Sequence, residues 1–209
     1  MKTYFAVVAT SLALAFTAGA TDFPKYETFL GYNFVRFNPD LNFGPSFNAN
    51  GGSGQFVYNF SKWAGVAVEA GASTKGVLNG LDVDTTVAHL MAGPRFSFMR
   101  HSKIMPYGEV LFGGAYATSS MKISAIPVAA PPIVTNPTPI SVRIQASNTG
   151  FAMMAGGGVD YKFSKHVAFR PFGADYYLTR MPTFANNGND QNRNNWRLLA
   201  GFNFLFGER

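Results

Sequence analysis

The 209-residue chain has no cysteine and a formal net charge of +6. Only 13% of its residues are charged, against about 25% in ordinary soluble domains, while aromatics reach 15% with 21 Phe and 9 Tyr. Disulfide stapling is excluded, and basic residues scattered without a long run argue against nucleic-acid binding.

The N-terminus reads as an export signal. Lys2 precedes the apolar run Tyr4 to Phe16, YFAVVATSLALAF, and Ala18-Gly19-Ala20 offers small residues for cleavage after Ala20. The run is shorter than the roughly 20 residues a spanning helix needs. No Cys follows it, so no lipid anchor is expected. Residues 1–20 are thus assigned as signal peptide and 21–209 as a single mature domain that is periplasmic, secreted or built of strands into an outer membrane.

From there, period-two alternation dominates. The first strand, Tyr26 to Phe37, sets Tyr26, Thr28, Leu30, Tyr32 and Phe34 against Glu27, Phe29, Gly31, Asn33 and Val35. A polar loop, Asn38 to Gly52, leads to a strand with Phe56, Tyr58 and Phe60 opposite Gln55, Val57 and Asn59. The short turn Ser61-Lys62-Trp63 opens a third strand, with Val66, Val68, Ala70 and Ala72 facing Ala67, Glu69 and Gly71. After a loop over about 73–84, the fourth strand, Thr86 to Phe98, carries His89, Met91, Gly93, Arg95 and Ser97 on its less aromatic face. A turn at Arg100-His101-Ser102-Lys103 leads to the fifth, Met105 to Ala117, with Tyr107, Glu109, Leu111 and Gly113 on that face.

A proline-rich insertion, Thr118 to Gln145, is expected to interrupt the pairing. The sixth strand, Thr149 to Phe163, opposes Met154, Gly156, Gly158 and Asp160 to an aromatic row. Ser164-Lys165-His166 turns into the seventh, Val167 to Arg180. The polar loop Asn186 to Asn195 precedes the last strand, where Trp196, Leu198, Phe202, Phe204 and Phe206 share a face opposite Arg197.

Eight strands with connections alternating long and short predict an all-β, eight-stranded antiparallel transmembrane up-and-down barrel. The bulky aromatic face suits lipid. The face bearing Glu27, Glu69, Arg95, Glu109, Asp160 and Arg197 suits a filled polar lumen. One strand resists. Arg170 and Asp175 have opposite parity, so either a β-bulge lies between Pro171 and Ala174 or Arg170 snorkels to the interface.

The stretches Phe151 to Arg180 and His89 to Phe98, with the closing aromatic strand, resemble the small eight-stranded outer-membrane barrels. That family includes the transmembrane domain of outer membrane protein A and other outer membrane beta-barrel domain proteins. The resemblance implies a Gram-negative-type outer membrane, surrounding outer-membrane lipid and the outer-membrane assembly machinery. It assigns Trp196, Phe202, Phe204 and Phe206 to the C-terminal assembly signal, with three residues following Phe206. The chain stops at the barrel, so anchoring to the cell wall is not implied.

The lumenal charges are the most suggestive constellation. Isolated charges in a narrow interior are costly, so Glu27, Glu69 and Glu109 are expected to pair with Arg95 and Arg197 as a salt-bridge plug. Rearrangement of the same charges would gate a narrow porin, the chief alternative. Catalysis finds no support: His89, His101 and His166 are scattered, and neither a nucleophile triad nor a metal-ligand spacing appears. An outer-membrane lipid-modifying enzyme and a lipocalin-like lipid-binding barrel are the remaining alternatives. No cofactor is expected. Trp63, Trp196, Tyr26 and Tyr177 are candidates for aromatic girdles, and the long loops for contact with host or environmental surface ligands.

Overall fold

The computed structural model describes residues 23–38, 46–76, 83–98, 102–125, 140–182 and 190–207. The expected export signal and His101 lie outside the described residues. Eight strands form one closed antiparallel barrel: β1 Tyr26–Phe37, β2 Phe47–Asn59, β3 Ala64–Lys75, β4 Val83–Ser97, β5 Ile104–Ala125, β6 Ile140–Lys162, β7 Val167–Pro182 and β8 Asp190–Phe206. Closure comes from β1 and β8, paired from Tyr26↔Phe206 to Arg36↔Trp196. No sheet edge is left, as a bilayer requires of a strand-built protein.

Side chains follow the expected parity. Phe29, Val57, Leu111, Met154 and Leu205 are buried inside, while Leu30, Phe56, Leu90, Phe112, Phe151 and Phe202 are exposed on the outer wall. In water such a wall would drive aggregation; in hydrocarbon it is the stable arrangement.

Several strands are longer than the sequence reading drew them. β2 includes Asn48 to Gly52, where the sequence predicts a loop, because these residues pair with β1 on one side, as in Asn33↔Gly51. On the other side Asn50 to Gly52 pair with β3. Two flanking ladders outweigh the poor strand propensity of Asn and Gly. β8 likewise begins at Asp190 rather than Trp196, paired with Pro182 of β7.

The largest correction concerns the proline-rich insertion. β5 continues to Ala125 and β6 starts at Ile140, the two joined rung by rung up to Ala125↔Ile140. The five prolines expected to break pairing, Pro127 to Pro139, lie in the intervening 126–139. The flanks on either side hold no proline and keep every donor for the ladder.

The seventh strand carries the bulge. Against β8, Arg170 pairs with Gly201 and Gly173 with Leu199, so Pro171 and Phe172 together oppose Ala200. The β6 ladder shows the same shift between Val159 and Tyr161. Both bulge residues face outward and the parity of β7 changes there. Arg170 and Asp175 therefore both point inward, and Arg170 does not snorkel.

Candidate functional site: the filled lumen

Near mid-barrel, charged and polar side chains reach across the lumen, set among inward glycines and the buried Phe29, Met91 and Leu111. Arg95 from β4 stands at the centre, its guanidinium 3.5 Å from Glu27, 3.4 Å from Glu109 and 3.3 Å from Asp160. It donates to Gln55 Oε1 at 2.6 Å and lies 3.8 Å from the centroid of the Tyr107 ring. Arg170 donates to both Asp160 oxygens, at 2.6 and 3.1 Å. It stacks over Phe29 and Tyr107, each 4.1 Å away. Tyr107 thus separates two like charges with an electron-rich ring.

Nearby, Arg197 donates to both oxygens of Glu69 and at 2.8 Å to Asp175. His89 Nε2 lies 3.1 Å from Glu69, with the His89 ring edge-on to Tyr177. Uncharged amides complete the web. Gln55 donates to Glu69 and Glu109 at 3.1 and 2.9 Å. Asn203 donates to Glu27 and Asp160 at 3.0 and 2.9 Å, and Asn59 to Glu27 at 2.7 Å. Arg95, Arg170 and Arg197 are only 0–1% exposed. Such burial is sustained only where carboxylates balance the charge, as they do here although Arg95 Nε itself has no hydrogen-bond partner.

The six residues singled out as a lumenal charge network, Glu27, Glu69, Arg95, Glu109, Asp160 and Arg197, all point inward and are buried. The structure divides them into two groups, one on Arg95 and Arg170, the other on Arg197, linked through Gln55. Arg170, Asp175 and His89 complete them. Period-two alternation puts Arg170 and Asp175 on opposite faces, and the bulge brings both inward; His89 is legible as lumenal, but not its approach to Glu69.

Apolar layers close both ends of the web. Met105, Ala168 and Leu205 pack at the turn end. Toward the loop end lie Val35, Phe37, Val87, Ala117, Tyr177 and Met181, with Phe47 packed against them. Tyr177 is therefore a core residue and not a girdle residue. Its neighbour Tyr176 takes the outward place, 5.7 Å from Trp196. Trp63 and Trp196 do stand on the outer wall, 58% and 57% exposed. Tyr26 stacks near Phe56 and Tyr58 on the same wall. On β8, Trp196 and Phe202 are exposed, and Phe204 and Phe206 half-buried, along one outward row.

No group of three or more possible metal ligands occurs among the described residues. Among the described residues His89 is the one histidine inside; it has an acid beside it, and its side chain is 2% exposed.

The chain matches the family of the outer membrane protein beta-barrel domain over residues 5–204. It belongs to that family. This outer-membrane barrel has structural neighbours with low sequence identity. Ail, the attachment invasion locus protein of Yersinia pestis, superposes with a TM-score of 0.55 at 19% identity, covering 87% of this chain and 99% of Ail. Ail in complex with the heparin analogue sucrose octasulfate gives 0.54 at 21% identity, covering 86% and 97%. Neisserial surface protein A gives 0.54 at 13% identity, covering 87% and 97%. At these identities the likeness is one of fold. No curated protein matches the chain.

Proposed function

We propose that this outer-membrane barrel is a sealed scaffold, without catalysis, whose role is structural or one of surface contact. One observation carries the reading: the lumen is occupied from wall to wall by the Arg95, Arg170 and Arg197 network, with apolar layers at both ends. Eight strands enclose only enough space for side chains. A water path would require these buried pairs to separate, and isolating one buried charge costs several kcal/mol.

Support for a surface role comes from the β5–β6 hairpin. Its rungs from Lys122↔Arg143 to Ala125↔Ile140 lie beyond Val83↔Met121, the last rung β4 contributes. Such a hairpin stands clear of the barrel on the long-loop side, where a second surface would be met. The heparin-analogue complex of Ail gives a precedent within the same fold. In this reading the leader is cleaved after Ala20, and the outward row Trp196, Phe202, Phe204 and Phe206 is what the assembly machinery recognises.

The test is single-channel recording. Residues 21–209, refolded in detergent and checked by heat-modifiable gel mobility, are placed in planar bilayers. The sealed reading expects folded protein and a silent trace. Discrete openings that change with Arg95→Gln or Glu109→Gln would replace it with a narrow porin.

A further inference from the structure

The three short turns share a construction that the strand pattern does not require. Each contains Ser-Lys: Ser61-Lys62, Ser102-Lys103 and Ser164-Lys165. In each, the serine hydroxyl accepts backbone N–H groups of its own turn. Ser61 Oγ accepts from Trp63 and Ala64 at 3.4 and 3.0 Å, and Ser102 Oγ from Ile104 at 3.4 Å. Ser164 Oγ accepts from His166 and Val167 at 3.3 and 3.1 Å. The serine ties off the turn and leaves the lysine exposed at its apex.

Lys25, at the start of β1, and Lys162, at the end of β6, stand at the same end of the barrel. Five lysines thus surround one rim. Among the described residues, every carboxylate there points into the lumen. Lys103 and Lys162 are held side by side by a 2.7 Å backbone bond. With Ser102, Phe163 and Ser164 they line an open cleft of about 230 Å³.

Beside the lysines lie exposed aromatics: Phe60, Trp63, Phe98 and Phe163. Trp63 stacks on Phe96 at 5.9 Å, Phe163 meets Tyr161 edge-on at 5.1 Å, and Lys25 Nζ is 6.0 Å from the Tyr58 ring. An aromatic belt marks the edge of the hydrocarbon, so the lysines stand in the headgroup plane just outside it. We propose that this lysine collar binds the phosphates of anionic phospholipids, with the Lys103–Lys162 cleft as its best seat. Short turns face the periplasm in such barrels, so the lipid is that of the inner leaflet. The inference rests on the outer-membrane reading but not on whether the lumen conducts.

Each lysine near an anionic lipid surface contributes up to about a fivefold preference, falling with salt. The protein offers its own probes, because its two tryptophans mark opposite rims. Trp196→Phe leaves Trp63 to report on the collar, and Trp63→Phe leaves Trp196 to report on the other rim. Each variant is refolded into bilayers of neutral lipid containing brominated phosphatidylglycerol or brominated phosphatidylcholine, and fluorescence quenching is measured.

The expected result is a preference of roughly threefold or more for the anionic lipid at Trp63, lost at high salt. It should disappear in Lys62→Gln/Lys103→Gln/Lys165→Gln and persist in the matching Lys→Arg triple, with Trp196 unaffected by either. No preference at Trp63, or one that survives both the Gln triple and high salt, overturns the collar. Relief of quenching by inorganic phosphate or polyglutamate at matched ionic strength would identify a free-anion or protein-docking site and also overturn it. If neutral brominated lipid quenches neither tryptophan, the barrel is outside the bilayer, and the membrane reading falls with the collar.

Discussion

Arg95 shows what a single buried charge demands of its surroundings. Its partners arrive from four other strands: Gln55 on β2, Glu27 on β1, Glu109 on β5 and Asp160 on β6. Replacing it with Gln leaves three carboxylates short of their shared cation, an expected loss of about 3–5 kcal/mol. The urea midpoint of the refolded barrel in detergent measures it. Gly71 works by omission. A Cβ there would meet the His89 ring at 2.7 Å and Ser53 at 2.9 Å. Gly71→Val should therefore push His89 off Glu69 and destabilise by about 1–3 kcal/mol through overpacking, while Gly52→Ala, on the open outer wall, should leave the same midpoint nearly unchanged. The residue types at these positions were legible as small or charged inward residues. Which charge meets which was not, because partners such as Arg197 and Glu69 are 128 residues apart.

Among the elements, β7 and the β5–β6 hairpin each make a prediction. The extra residue in β7 keeps Arg170 and Asp175 on the same side of the wall. Deleting Phe172 would place Arg170 and Asp175 four residues apart, so that a regular ladder still faces both inward. The expected outcome is that the heat-modifiable folded band survives, as it should in Pro171→Ala; its loss would mean that closure needs the bulge itself. The hairpin tip should tolerate shortening. In the ladders its outermost rungs pair only with each other, and the Arg143–Asp84 ion pair that would go with them is solvent-exposed, so joining Met121 to Ile144 through a short Asn-Gly turn should change the urea midpoint little. A large loss would mean that the tip packs on other loops. The sequence signalled the bulge, because opposite-parity charges flanking Pro171 demanded an explanation. It misled at the hairpin, where proline density blurred a boundary that the outermost prolines, Pro127 and Pro139, in fact bracket.

At the scale of the whole barrel, a wall of exposed Phe, Leu and Trp encloses a charged interior. This inversion of a soluble core predicts that the refolded chain stays monodisperse in detergent and aggregates on its removal, which light scattering would record; a soluble, monodisperse species would contradict it. The alternation of bulky and polar residues along each segment, and of long and short connections, was enough to specify strand number, topology and the facing of nearly every side chain. Those features are local: a pleated strand sends successive side chains to opposite faces whatever its neighbours do. The ends of the strands, the inward turn of Tyr177, the joining of Arg95 to Arg170 through Asp160, and the lysine rim were decided only on closure. They depend on register between distant strands and on a one-residue shift in β7, and no periodicity within a single strand carries that information.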